Sequence, residues 1–278
     1  MVVIDAHLHM WDPRLLAYPW LDAVPALRRP FLPSDLVADQ TRPHGAVFVE
    51  AGAAPQAALN EVAWVESLRS PVALLAIVAQ AAVEHGQAAA ATLADLAARP
   101  RVTGVRRNIQ DESPGFASTD SFRTGVRLLA AHDLTFDLCV RSEQLPEVTD
   151  LARRTPDVTF VLDHLGKPPV RDRRSDPWRT HLRELASLTN VRCKLSGLTT
   201  EALPRRWQPA DVLPYLDHAL QVFGPARCMF GSDWPVATLA TEYDRWFTVV
   251  DRALGGYTAE ERHRVMAGTA IETYRLTL

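Results

Sequence analysis

Two histidines stand two residues apart in "IDAHLHMWD", residues 4–12, within an apolar run that reads as an extended strand. Residues i and i+2 of a strand point to one face. His7 and His9 therefore project side by side, with Asp5 on the same face and Asp12 just past the strand end. Such a pair suits two ligands of one metal ion; the plainer alternative is a solvated pair at a strand edge. Other reactive groups end other apolar runs. They are Glu50; Arg106, Arg107 and Asn108; Asp163 and His164; Lys194 and Ser196; and Ser232 and Asp233. A charge set deep in an apolar strand is costly unless it is paired or functional. Repetition of that placement points to one polar centre.

Each residue has a structural alternative. Asp233 could cap the segment that follows it, His164 could be a hydrogen-bonded rim residue, and Glu50 could simply pair with Arg106 or Arg107. Successive strand residues face opposite ways, so only one of those two arginines is expected in a pocket. Ser196 lacks the G-x-S-x-G setting of a nucleophile and reads as a turn residue. His44, His85, His132, His181, His218 and His263 fall on loops or helices and read as surface or packing residues.

The elements that must position these groups alternate. Apolar, β-branched segments occupy Val2–His9, Ala46–Ala51, Val72–Ala79, Val102–Arg107, Leu134–Val140, Val158–His164, Val191–Leu198 and Cys228–Asp233. Between most of them lie helical patterns: Ala57–Arg69, Gln87–Arg99, a run from Ser118 or Thr119 to His132, Gln144–Arg154, Pro177–Leu188, Pro209–Phe223 and Leu239–Leu254. Alternation of this kind implies parallel strands joined by helical crossovers. Eight such units predict a (β/α)8 TIM barrel, residues 1–278 forming one domain with short added helices at Thr258–Val265 and Gly268–Leu276. The competing open sheet would want a glycine-rich turn after the first strand, and none is there. A proline-rich loop, Trp11 to Pro33, replaces a clean first helix. In a barrel of this type the strand C-termini carry the chemistry, which is where the polar residues fall.

Composition narrows the function classes. A net charge of −3 gives no basic field to recruit nucleic acid or an anionic membrane. All but Lys167 and Lys194 of the 30 cationic residues are arginine. The odd set Cys139, Cys193 and Cys228 lies in apolar runs and reads as reduced core thiols. With no signal-peptide pattern and no apolar run long enough to span a bilayer, a cytoplasmic location is expected.

The segments "IDAHLHMWDP", "FVEAG", "GVRRN", "FVLDHLGKP", "KLSGL" and "MFGSDWPV" resemble the signatures of the amidohydrolase superfamily, and within it the amidohydrolase-2 branch. That branch includes lactonases of L-fuconolactone, L-rhamnonolactone and pyrone dicarboxylates. The likeness runs from Ile4 to "GTAIETYRL". It implies that His7, His9 and His164 are metal-site or carbonyl-polarising histidines, and that Asp233 accepts a proton from the attacking water. Glu50 joins them as a further candidate ligand. Arginines stand where many superfamily members carry a carboxylated lysine after strand 4, which argues against a two-metal site. Strand 5, "DLCV", offers no histidine, with Asp137 and Arg141 nearby. Gly268-Thr269-Ala270 replaces the usual Gly-Asn-Ala.

The resemblance implies a hydrolase that opens a sugar-acid lactone with activated water. One divalent ion, zinc foremost, suits the imidazole and carboxylate ligands. Arg106, Arg107 and Lys194 would hold substrate hydroxyls or a carboxylate, while Trp11, Trp20 and Trp234 would stack on the sugar ring. The alternatives are a lactonase of pyrone dicarboxylates with no metal cofactor, a decarboxylase of aromatic acids on the same barrel, and a non-catalytic sugar-acid binding protein.

Overall fold

In a computed structural model, residues 2–36 and 43–278 are described. Eight strands make one parallel sheet in chain order: β1 (Ile4–Leu8), β2 (Gly45–Val49), β3 (Ala73–Gln80), β4 (Val102–Arg106), β5 (Thr135–Leu138), β6 (Phe160–Leu162), β7 (Val191–Leu195) and β8 (Cys228–Phe230). The barrel closes beyond β8. The amide of Asp233 donates to the His7 carbonyl at 2.9 Å and that of His9 to the Trp234 carbonyl at 2.7 Å.

Helices surround the sheet: α1 (Ala58–Ser67), α2 (Ala90–Ala97), α3 (Asp120–Leu128), α4 (Leu145–Arg154), α5 (Trp178–Ala186), α6 (Pro209–Phe223), α7 (Tyr243–Ala253), α8 (Ala259–His263) and α9 (Thr269–Tyr274). Their apolar residues pack against the outward strand residues, among them Phe48, Ile77, Phe136, Phe160 and Leu195. Local chemistry sets their limits. Thr119 accepts from the Phe122 amide and starts α3, and a reciprocal Thr258–Glu261 box starts α8. The expected helix over Gln87–Arg99 is shorter, because Gly86 at φ +60° puts a 3-10 segment ahead of α2.

A second apolar cluster joins Ile4, Val47, Val49, Ala76, Val78, Val161 and Met229 to Ala267, Ala270 and Tyr274. At the end of α9, Tyr274 is fully buried, and Arg275 beyond it donates to the Thr103 carbonyl at the start of β4. The end of the chain thus lies against the N-terminal end of the barrel, and the opposite end is left for the site. Among the described residues no helix is long and apolar enough to cross a membrane.

Candidate active site

At the C-terminal end of the strands a cavity of about 790 Å³ is lined by His9, Glu50, Arg106, Arg107, His164, Lys167 and Asp233, among others. His9 Nδ1 lies 2.9 Å from the Val49 carbonyl, which can only accept. The acceptor fixes the tautomer: Nδ1 carries the hydrogen and Nε2 the lone pair. His7 Nδ1 meets Asp163 Oδ1 at 3.1 Å. Its Nε2 then faces Nε2 of His9 at 3.0 Å. Two lone pairs at that distance repel unless a cation or a proton lies between them.

Asp233 completes the convergence. Its Oδ1 lies 3.5 Å from His9 Nε2, 3.8 Å from His7 Nε2 and 3.9 Å from His164 Nε2. The ligand atoms of His7, His164 and Asp233 all lie within 4.8 Å of one another. This donor set fits one divalent ion. Each imidazole is also oriented from behind, by Asp163, by the Val49 carbonyl, and by Ser196, whose Oγ is 2.9 Å from His164 Nδ1.

Burial drives His7 well below the usual imidazole range, with Asp163 opposing and Lys194 assisting. Burial also lowers His164 to about 4, against Asp233 and Asp163. Both rings are therefore neutral near pH 7, with lone pairs free to bind. Burial alone would raise Asp233; positive charge at the centre where His164, His9 and His7 converge, as a bound cation would supply, holds it well below the usual carboxylate range and keeps it ionised.

Backbone strain places two of these groups. Asp233 sits at φ +60°, and His164, Leu165, Gly166 and Lys167 run at +52°, +55°, +68° and +48°. Each non-glycine residue there costs on the order of 1–3 kcal/mol. That reversal ends β6 before Asp163 and β8 before Gly231, so both strands are shorter than the sequence pattern implies. Gly197, at φ +65°, is required for a second reason: a Cβ there would lie 2.3 Å from His164 Nδ1.

Several expected contacts resolve differently. Lys194 is wholly buried beneath the cavity. Its Nζ lies 2.5 Å from Asp137 Oδ2, 3.0 Å from Asp163 Oδ1 and 3.1 Å from His7 Nδ1. A substrate cannot reach it, because its side chain turns inward from β7 and is fully buried. Arg106 is closed on itself as well: Nε donates to Glu50 Oε1 at 2.6 Å, and the guanidinium also meets the Glu50 carbonyl and Asp163 Oδ2. Glu50 spends its other oxygen on the Gly52 amide at 2.6 Å, so both oxygens are already engaged by the protein.

Both arginines line the cavity, contrary to the alternation argument, because β4 ends at Arg106 and Arg107 lies past it. Arg107 is held by Glu84 and Glu112. Trp11 also lines the cavity, as expected, but is almost fully buried, with its indole N–H on the Leu27 and Arg29 carbonyls. Trp20 lines the cavity and donates to the Ala51 carbonyl at 2.7 Å. Trp234 instead packs edge-on against Phe31 and lines an adjoining pocket, because the backbone beyond Asp233 pairs with β1.

Sequence reasoning gave no role to Asp163, although it touches His7, Lys194 and Arg106. It also passed over Tyr274, whose hydroxyl donates to Asp137 Oδ2 at 2.9 Å. Asp163 had a readable signal, as the neighbour of His164 at the end of an apolar strand; Tyr274 had none.

The amidohydrolase family model matches residues 4–276. The L-fucono-1,5-lactonase of Burkholderia multivorans is 38% identical, over 98% of this chain and 96% of that protein. The L-fucono-1,5-lactonase of Burkholderia ambifaria is 33% identical, over 98% and 95%. A crystal structure of an amidohydrolase from Burkholderia multivorans with bound zinc superimposes with a TM-score of 0.87 at 35% identity, over 100% of both chains. With its eight-stranded barrel and His-His-Asp centre, this chain belongs to the amidohydrolase family.

Proposed function

We propose that this protein hydrolyses the cyclic ester of a sugar-acid lactone, with Asp233 as the proton carrier. The observation that carries the reading is the meeting of His7, His9 and His164 Nε2 at Asp233 Oδ1 inside the cavity, in a chain aligned end to end with two L-fucono-1,5-lactonases.

His7, His164 and Asp233, with His9 Nε2 lying 3.0 Å from His7 Nε2 and 3.5 Å from Asp233 Oδ1, would hold one divalent ion, zinc foremost, which would supply Lewis acidity to the lactone carbonyl and acidify a water molecule. The chain's own residues do the rest. The Val49 carbonyl fixes the tautomer of His9, so that a lone pair and not a hydrogen faces the centre, and Asp163 orients the ring of His7. Ionised Asp233 takes a proton from the attacking water as its oxygen bonds to the carbonyl carbon. When the ring C–O bond breaks, Asp233 returns that proton to the departing alkoxide. One water is consumed, and the products are the open hydroxy acid as its carboxylate and one released proton, the second hydrogen of that water. The indole of Trp20, on the cavity wall, offers a face to the ring.

The test is a panel of aldono-lactones assayed by proton release, with metal content measured on the same sample. Turnover that chelator abolishes and a divalent ion restores is expected. Turnover that survives complete metal removal would replace the metal by a cationic hole, and no turnover of any lactone would overturn the reading.

A further inference from the structure

The turn after β6 brings a second group into the cavity besides His164. Three residues on, Lys167 also lines it, and the left-handed run from His164 to Lys167 is what lets both side chains face the same space. Lys167 Nζ donates to Gln110 Oε1, a neutral amide. The amide nitrogen of Gln110 in turn donates to Asp111 at 3.2 Å, which fixes the oxygen toward the lysine.

The other cations at this end of the barrel are matched by carboxylates. Lys194 has Asp137 and Asp163, Arg106 has Glu50 and Asp163, and Arg107 has Glu84 and Glu112. Among the described residues Lys167 makes no ion pair within 4.0 Å, the Glu201 carboxylate acting on it from farther off, and it is half-buried. An ammonium has three N–H donors, and Gln110 takes one. The remaining donors have the cavity before them.

We propose that Lys167, oriented by Gln110, is a specificity-determining residue that donates to the hydroxyl oxygens of a polyhydroxylated lactone and selects it over an unsubstituted one. This rests on the lactonase reading and adds the contact that recognises the sugar. A site built to hydrogen-bond a hydroxyl discriminates strongly against the analogue that lacks it.

The experiment compares wild type, Lys167→Met and Lys167→Arg on two lactones, the aldono-lactone the wild type turns over best and δ-valerolactone. In Lys167→Met the ratio of kcat/KM for the sugar lactone to that for δ-valerolactone should fall about 10- to 100-fold, the range of a charge-assisted hydrogen bond. Lys167→Arg should recover part of the ratio. Calorimetry with the matching aldonate should show binding weakened at least about tenfold in Lys167→Met. An equal fall on both lactones, or an unchanged ratio, overturns the assignment. A wild-type protein inert on every lactone sinks the lactonase reading instead. In that case aldonate binding that depends on Lys167 still upholds the contact, and binding indifferent to it refutes the contact.

Discussion

The floor and the wall of the cavity handle charge in opposite ways. On the floor Lys194, Asp137, Asp163, Arg106 and Glu50 satisfy one another at 2.5–3.1 Å in nearly complete burial. On the wall Lys167 hydrogen-bonds a neutral amide and feels the Glu201 carboxylate only from beyond ion-pair distance. Taking ions out of water costs several kcal/mol each, and that cost is offset only where geometry and hydrogen bonds are close to ideal. The floor meets this condition and is closed to ligands, so its charges set the position of His7. The wall leaves donors open, so its charges are available to a substrate. Paired charges build the centre; unpaired ones read what enters it.

The sharpest probe of that division is the group where the two regions meet. Asp233→Asn keeps the volume but removes the proton acceptor, and lactone hydrolysis should fall by about 10³-fold or more, with an unchanged circular dichroism spectrum. Activity within tenfold of wild type would mean that the convergence is not catalytic. Next comes the floor. Lys194→Met leaves Asp137 without its cation and Asp163 with Arg106 alone, and denaturant unfolding should show a loss of about 3–5 kcal/mol. A loss under about 1 kcal/mol would erase the contrast with the wall.

Gly197→Ala tests positioning without touching a charge. The new Cβ would press on His164 Nδ1, and displacement of that ring should lower kcat by about 10²-fold. A kcat within a few-fold of wild type would show that the site tolerates movement of the ring.

Glu61 on α1 tests whether the closed region extends beneath Glu50. Burial, and then the Glu50 carboxylate, pushes Glu61 up to about 8 from 4.5. An acid whose pKa rises on folding is protonated in the folded state. Its contribution is therefore intact below pH 4.5 and is lost as the pH rises toward 8. Glu61→Gln should match wild type at pH 5 and exceed it at pH 8 by about 1–3 kcal/mol in urea melts, less than the full linkage value because neighbouring groups relax. Equal stabilities at pH 8 would place Glu61 outside the closed network. The smallest effect belongs to the rim, where Trp20→Phe removes one hydrogen bond to Ala51 and should cost about 1 kcal/mol. It should raise KM with little change in kcat, and a fall in kcat alone would deny Trp20 a place in substrate binding.

The barrel was legible because its strands are buried on both faces and read as continuous apolar runs. The order of the eight strands followed directly from their alternation with helices. Strand ends were less legible. His164 and Asp233 end β6 and β8 through positive φ, a conformation that neither residue type announces. The imidazoles and Asp233 were legible because polar residues at strand ends have little reason to be there otherwise. Lys194 misled for the same reason, since sequence does not tell an open cation from one already matched by carboxylates drawn from other strands, and Arg106, though it lines the cavity, is matched in the same way. Asp137 and Asp163, their partners, lie 57 residues from Lys194 and Arg106 respectively. No local pattern spans that distance.

The hydroxyl of Tyr274 on Asp137 has a consequence for how the protein is made. A nascent chain that has delivered all eight strands from the ribosome still lacks the last hydrogen bond beneath its centre. The first strand supplies two imidazoles and the final helix supplies that bond, so a truncated translation product is left with an unfinished site however much of the barrel it has formed.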